Sequence, residues 1–286
     1  MKLDRQDLSA VLYTFYSMAV QWFFGRDRPL IMAHRGDASQ APENTIEAMK
    51  GALEIGVDSL ETDVRLTKDG HLILFHDDDL RRTTGKESKV RELTLDELRH
   101  MDLGHSFSPN GTDFPFRGKG LRVVTVREAF EEFPDTRFNI DMKDDDKAAP
   151  VELAEAIRDY QRQDSVVVAS FIPETLERFR EIMPSVPTSA HPREVRRFLI
   201  GTKLRAIGLL CRSVAYRAFQ IPVKLGSITV LSRRFVEQAH KRNLAVHVWT
   251  INDSETMEWL IDLGVDGIFT DEAALMRQLL SERGLL

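Results

Sequence analysis

The chain lacks the cysteines that a disulfide needs, because Cys211 is the only cysteine among its 286 residues. A single thiol excludes an internal disulfide and is consistent with a reducing compartment. No low-complexity linker divides the chain, so we expect one main domain. Basic residues are also outnumbered, 39 against 45 acidic ones, and the net charge of -6 argues against nucleic acid as the main partner.

The sequence has no clear membrane-spanning run and no clear signal peptide. Residues 8–25 carry no charge, but they include Ser9, Thr14, Ser17 and Gln21, which makes a spanning helix a poor fit. A signal peptide fits no better, because no small-residue cleavage site follows. Apolar residues at helical spacing instead predict an amphipathic helix within residues 1–28, ahead of a domain over residues 29–286. That helix either packs on the domain or lies in a membrane interface.

Short apolar runs alternate with longer segments of helical periodicity through most of the chain. Eight such runs, each predicted to be a strand, begin near residues 30, 58, 71, 138, 166, 186, 244 and 267. Strands interleaved with helices predict an α/β fold, a TIM-type (β/α)8 barrel with a short insertion after the third strand. The alternative is an open doubly wound sheet, which is disfavoured because no Gly-x-Gly-x-x-Gly loop follows the first strand. Residues 191–227 receive no firm assignment.

Polar side chains follow the apolar runs, at the ends where barrels of this type carry their active sites. The three carboxylates among them would repel one another unless a cation lay between them, and oxygen ligands favour Ca²⁺ or Mg²⁺ over Zn²⁺. Two histidines can serve as acid and base near neutral pH. Basic side chains at the same ends suit an anionic substrate, most simply a phosphodiester. The candidates are His34 and His76 for catalysis, Glu61, Asp63 and Asp141 for the metal, and Arg35, Lys143 and Trp249 for the substrate.

The motifs around these residues resemble the glycerophosphodiester phosphodiesterase family. They run in order from His34-Arg35-Gly36 through Pro42-Glu43-Asn44-Thr45, Glu61-Thr62-Asp63-Val64, Phe75-His76-Asp77 and Asn139-Ile140-Asp141-Met142-Lys143 to Val248-Trp249-Thr250-Ile251-Asn252 and the segment 264–271. The resemblance implies a TIM-type barrel, a divalent metal, acid–base catalysis by the two histidines and phosphate binding by Arg35 and Lys143. The third metal ligand is often Glu in that family, and Asp141 is one methylene shorter. Trp249 either packs in the core or walls the pocket.

Residues 193–234 bear on whether the substrate is a soluble phosphodiester or a membrane lipid. They contain ten basic residues and a single acid, Glu194, interleaved with apolar residues, so the segment is locally +9. If it is a loop beside the active site, it suits an anionic membrane surface. If it is a pair of helices packed on the barrel, its basic groups are merely solvated. The segment resembles the branch of the family that includes lysophospholipase D enzymes.

The sequence thus predicts a metal-dependent hydrolase of small glycerophosphodiesters, or alternatively a lysophospholipase D that acts on membrane lysophospholipids. The predicted location is the cytoplasm, with peripheral membrane contact through residues 8–25 and 193–234. Two rival classes of protein fit the sequence less well. A barrel amidohydrolase needs a His-x-His motif after the first strand, and this chain has His34-Arg35 there. A non-catalytic membrane-binding relative would be expected to have lost one of the histidines or acids, and all are present.

Overall fold

The computed structural model describes residues 24–25 and 27–286, and most of the predicted N-terminal helix over residues 1–28 lies outside them. One large curled sheet organises the described part of the chain, and a separate two-stranded hairpin accompanies it. The strands are β1 (Leu30–Ala33), β2 (Ser59–Leu66), β3 (Leu72–Leu74), β4 (Phe138–Met142), β5 (Val166–Ala169), β6 (Ala218–Ile221), β7 (Lys224–Leu225), β8 (Ile228–Thr229), β9 (Ala245–Val248) and β10 (Gly267–Thr270).

The large sheet is a barrel of parallel strands in the order β5-β4-β2-β1-β10-β9-β6. A short stretch around residues 187–190 fills the gap between β5 and β6. Within it, Thr188 bridges to Val168 of β5 and Ser189 bridges to Ala218 of β6, both in parallel. The amide of Ala190 also donates a hydrogen bond to the carbonyl of Ala218 at 2.8 Å. The predicted TIM-type barrel is therefore confirmed, including the short strand near residue 186.

One predicted member of the ring is wrong. The run at residue 71 forms β3, which pairs with β2 in antiparallel and lies off the ring. The physical reason is its short connection: Thr67 and His71 close a turn through a backbone hydrogen bond of 2.9 Å, and so short a link can join only antiparallel strands. Strand β6 takes the place of β3 as a parallel strand of the ring. It lies within residues 191–227, which received no firm assignment from the sequence.

Helices cover the outside of the barrel. The first helix ends at Gly56, whose φ of 88° suits glycine. The predicted insertion follows β3 and has a small core of its own, which includes Phe75, Leu80 and Leu98. The helices are α1 (Ile46–Ile55), α2 (Arg81–Thr84), α3 (Leu95–Arg99), α4 (Val126–Glu132), α5 (Ala149–Asp159), α6 (Pro173–Ile182), α7 (Pro192–Leu204), α8 (Ile207–Leu210), α9 (Arg233–His240), α10 (Ser254–Leu263) and α11 (Ala273–Glu282).

The basic segment 193–234 is mainly built into the barrel rather than forming one loop beside its mouth. Helix α7 buries Phe198, whose ring packs against Phe219 of β6 and Phe235 of α9 with centroids 4.5 and 4.9 Å away. The helical alternative is therefore correct for its first half. Within the described ranges, no helix is both long and apolar enough to cross a membrane.

Candidate active site

The predicted acids meet where neighbouring strands β2 and β4 approach their carboxyl ends. The parallel register pairs Asp63 directly with Asp141. Glu61 lies two residues before Asp63, so both side chains leave the same face of β2. The side chains of Glu61, Asp63 and Asp141 are all buried. The structure thus brings the three predicted metal ligands to one end of the barrel.

A sharp turn after β1 delivers His34 and Arg35 to the same end. Three consecutive residues have positive φ there: Arg35 at 52°, Gly36 at 83° and Asp37 at 64°. A Cβ at position 36 would come within about 3.0 Å of Met49, and the positive φ also favours glycine there. The amide of Arg35 donates to Oε2 of Glu61 at 2.9 Å, which ties the turn to the acids. Backbone strain of this kind is found at functional sites, where the surrounding contacts hold it.

Each predicted catalytic histidine is held by a carboxylate through the same ring nitrogen. Nδ1 of His34 lies 2.7 Å from Oδ1 of Asp271, and Nδ1 of His76 lies 2.7 Å from Oδ1 of Asp77. Burial disfavours the charged form of His34, yet the hydrogen bond to Asp271 and the charge of Glu61 raise its pKa above the ordinary value. With Nδ1 engaged, Nε2 is the nitrogen that can exchange a proton with a substrate.

The two histidines flank the acids rather than lying apart. Glu61 is one of the charges that raise the pKa of His34. His76 in turn acts on Asp63 and Asp141, as one of the charges that favour their ionised forms. Both imidazoles therefore lie near enough to the acids to interact with them electrostatically.

Two basic side chains lie among these acids. Nζ of Lys143 is 2.8 Å from Oδ1 of Asp63 and 2.6 Å from Oδ2 of Asp141, and Nε of Arg35 is 3.1 Å from Oδ2 of Asp63. Burial alone would raise the pKa of Asp63, but Lys143 and Arg35 hold it below its usual value. Glu61 lacks such close compensation, and burial together with the charge of Asp63 raises its pKa to about 7. Burial also raises the pKa of Asp141.

The acids fit a divalent cation by their chemistry, although in the described part of the chain no three His, Cys, Asp or Glu side chains already form a metal-holding group. The Oδ1 atom of Asp141 is buried without a hydrogen-bond partner, which leaves one ligand oxygen unsatisfied. When all three carboxylates are ionised, their negative charge exceeds the positive charge of Lys143 and Arg35 by one. Oxygen donors with excess negative charge are what Ca²⁺ and Mg²⁺ require.

An arginine that sequence reasoning missed links the two halves of the site. Arg82, from the insertion, donates from Nε to Asp77 at 2.6 Å and makes a bidentate pair with Glu43 at 2.7 and 2.6 Å. Glu43 also accepts from Arg35 at 3.0 Å. Arg82 therefore contacts both Asp77, which binds His76, and Glu43, which binds Arg35. Its position within a run of arginines and threonines gave no periodic signal for this role.

Trp249 forms part of an aromatic wall on the other side of the mouth. Its half-buried side chain packs on the small cluster of Leu30, Met32 and Phe269. Its ring also meets Phe171 edge to face, with the centroids 5.7 Å apart. Phe171, a second residue that sequence reasoning missed, has Nζ of Lys143 at 5.7 Å from its ring centroid, within cation–π range. The predicted packing role of Trp249 is confirmed, and its role in lining the substrate pocket stays a prediction.

Fold and site together define an α/β barrel that carries two histidines, three carboxylates and fixed positive charge at one mouth. The sequence profile of the Glycerophosphoryl diester phosphodiesterase family matches residues 34–275. The chain therefore belongs to this family and is an enzyme of the phosphoric diester hydrolase type.

Individual relatives agree with this assignment. A glycerophosphodiester phosphodiesterase of Caldanaerobacter subterraneus subsp. tengcongensis is 32% identical over 268 residues, covering 90% of this chain and all of that protein. Lysophospholipase D GDPD1 of Homo sapiens is 26% identical, covering 87% of this chain and 85% of that one. An Oleispira antarctica phosphodiesterase, solved with the product sn-glycerol-3-phosphate, shares the fold with a TM-score of 0.72 at 23% identity, over 89% of this chain and 97% of its own.

Proposed function

We propose that this enzyme hydrolyses glycerophosphodiesters to glycerol 3-phosphate and a free alcohol. The observation that carries the proposal is the matched pair of histidines, each held through Nδ1 at 2.7 Å from a carboxylate beside one acidic cluster. Hydrolysis of a phosphodiester needs a base for the nucleophile and an acid for the leaving oxygen, and two such imidazoles can supply both. The family of the chain and the names of its relatives support the same substrate class.

The proton transfers follow from this pair. One of His34 and His76 takes a proton from the nucleophile as its oxygen bonds to phosphorus. The other donates a proton to the alcohol oxygen as its bond to phosphorus breaks. The nucleophile is either water or the neighbouring glycerol hydroxyl, which would pass through a cyclic phosphate. Asp271 and Asp77 fix the ring orientations and stabilise whichever imidazole is protonated.

Glu61, Asp63 and Asp141 would hold a divalent cation, Ca²⁺ or Mg²⁺. When bound, such an ion neutralises negative charge on the phosphoryl oxygens. Arg35 and Lys143 add fixed positive charge for the same phosphate. Lys143 pairs with Asp63 and Asp141 at 2.8 and 2.6 Å, so its ammonium partly offsets the repulsion between the acids. Trp249 and Phe171 form the apolar wall against the substrate's carbon atoms.

A second candidate is lysophospholipase D activity, which releases lysophosphatidate from a lysophospholipid. The observation that favours it is Phe171, which is 55% exposed at the mouth although it touches the site residues Trp249 and Lys143. An exposed aromatic ring beside a phosphate site suits a substrate with an apolar chain. The human relative named lysophospholipase D supports this candidate.

A substrate panel tests both candidates. The purified chain is assayed with added Ca²⁺ or Mg²⁺ on glycerophosphocholine, glycerophosphoethanolamine and their lysolipid counterparts, with the released alcohol and phosphate ester measured. Turnover of the water-soluble pair supports the first candidate, and preference for the lysolipids supports the second. Vesicle binding without turnover of any substrate would instead identify a non-catalytic membrane-binding relative.

A further inference from the structure

A small hairpin stands apart from the barrel at the end that carries the site. It comprises β7 and β8 with their turn, residues 224–229, and it pairs with no other strand among the described residues. It follows the carboxyl end of β6, and its base is fixed because the amides of Val230 and Leu231 both donate to the carbonyl of Val223. Since the sites of such barrels lie at this end, the hairpin borders the proposed mouth.

The hairpin presents two apolar side chains to solvent. Leu225 lies directly opposite Ile228 in the antiparallel register, so the two side chains are neighbours on one face. Leu225 is 66% exposed and Ile228 is 49% exposed, and neither belongs to a hydrophobic cluster of the described chain. An isolated two-stranded hairpin is only marginally stable in water. The two exposed apolar side chains join no hydrophobic cluster of the described chain, so the fold does not explain them.

The surroundings of the hairpin are positively charged. Lys224 on the hairpin and Arg233 and Arg234 on the first turn of α9 are exposed, and the sequence has no acid between Glu194 and Glu237. Helix α9 starts at the carboxyl end of the barrel, so its first-turn arginines are on the side of the mouth. Phe171, after the carboxyl end of β5, adds an exposed aromatic ring to the same rim.

A second group of exposed apolar residues lies at the opposite end and serves as a comparison. Leu204 and Leu209 are 68% and 81% exposed. Helix α7 leaves the carboxyl end of the residue 187–190 stretch, so its last residue, Leu204, and the following α8 lie at the amino end of the strands. Their exposure exceeds that of the hairpin, but they face away from the proposed site.

We propose that the hairpin, residues 224–229, together with Lys224, Arg233 and Arg234 docks the mouth onto an anionic lipid surface. Leu225 and Ile228 enter the interface between headgroups and acyl chains, and the three cations contact acidic headgroups. Charge complementarity selects this occupant over a second copy of the chain docked through the same face, because the basic residues of the two copies would then repel one another. The inference rests on the proposed function, since the docked mouth is the one that would receive a lipid substrate.

Sedimentation with vesicles tests the proposal. The full-length chain is mixed with vesicles of phosphatidylcholine alone and of phosphatidylcholine with phosphatidylglycerol. We expect binding to the anionic vesicles, reduced by about tenfold or more in Leu225→Ser/Ile228→Ser, since each side chain would lose its apolar burial. Lys224→Gln should weaken binding by about fivefold, with the loss suppressed at high salt. The matched control Leu204→Ser/Leu209→Ser removes a similar apolar area at the far end and should bind like the parent chain.

Three results of the sedimentation experiment would contradict the proposal. Unchanged binding of the hairpin variant, an equal loss in the control variant, or no binding of the parent chain to anionic vesicles each overturns the proposal. Hydrolysis of soluble glycerophosphocholine is measured on the same preparations and should be equal in the parent and hairpin variant. If the parent chain hydrolyses none of the panel substrates, the proposed function fails, while the sedimentation comparison still decides whether the hairpin binds lipid.

Discussion

Nδ1 of His34 lies 2.7 Å from Oδ1 of Asp271, although 237 positions separate the two residues in the sequence. The contact exists because β1 and β10 are neighbours in the barrel, with Ala33 opposite Thr270 in their register. The side-chain amide of Asn252 donates a hydrogen bond to the other carboxylate oxygen of Asp271 at 2.8 Å. This second contact fixes the orientation of the carboxylate toward the imidazole. Burial opposes ionisation of Asp271, but its bond to His34 keeps its pKa below the usual value.

Asp271→Asn should shift the pH profile of kcat/KM. The hydrogen bond and charge of Asp271 raise the pKa of His34, so their loss lowers that pKa. The limb of the profile that reports His34 should therefore move to lower pH, whether the residue acts as acid or base. Kinetics on glycerophosphocholine across the pH range would measure the shift. Glu272→Gln removes the adjacent carboxylate and serves as the control, and an equal shift there would count against a specific effect of Asp271.

His34→Ala and His76→Ala should each reduce kcat by about 100-fold to 10,000-fold, the range for loss of a general acid or base. The melting temperature should change little, since both side chains lie at the mouth rather than in the core. His240→Ala is a matched control, because Nε2 of His240 lies 2.7 Å from Oδ2 of Asp266 in a similar pair. Near-normal turnover in either active-site variant would refute its role as a proton carrier.

Arg82→Gln should lower kcat by about tenfold to a hundredfold with a smaller change in KM, since it would free Asp77 and Glu43, which orient His76 and Arg35. Arg82 acts through these partners as a positioning residue. Its loss should also alter the pH profile, which a purely structural role would leave unchanged. Arg81→Gln is the adjacent control, as Arg81 pairs only loosely with Glu87 at 3.5 Å. Equal effects of the two substitutions would exclude the positioning role.

Divalent cations should stabilise the folded chain. After chelation, Ca²⁺ or Mg²⁺ should raise the melting temperature, with a stabilisation of about 2.7 kcal/mol when the ion is present at about one hundred times its Kd. Asp141→Asn should abolish most of that rise, because it removes a buried ligand with an unsatisfied oxygen. Asp145→Asn, on the exposed loop that follows, should keep it. Full activity in excess chelator would exclude the proposed metal.

Local patterns predicted most of the strands and the residues at their ends. Short apolar runs revealed β1, β2, β4, β5, β9 and β10, since most residues of these strands are buried. The spacing of Glu61 and Asp63, two residues apart, put both on one face of a strand. The same reasoning found the strand β3 but placed it in the ring, whereas the turn at Thr67 makes it antiparallel to β2. It also missed β6, whose apolar run is interrupted by Gln220 and lies in a segment rich in basic residues.

The sequence alone determined that two histidines, three carboxylates and two fixed cations would follow strands of an α/β barrel. Only the tertiary structure decided which of these groups meet: Asp271 with His34, Arg82 with Asp77 and Glu43, and Lys143 with Asp63 and Asp141. The physical reason is that burial patterns are local and periodic. An ion pair across a barrel mouth depends on strand order, register and side-chain reach, and none of these leaves a periodic trace in the chain.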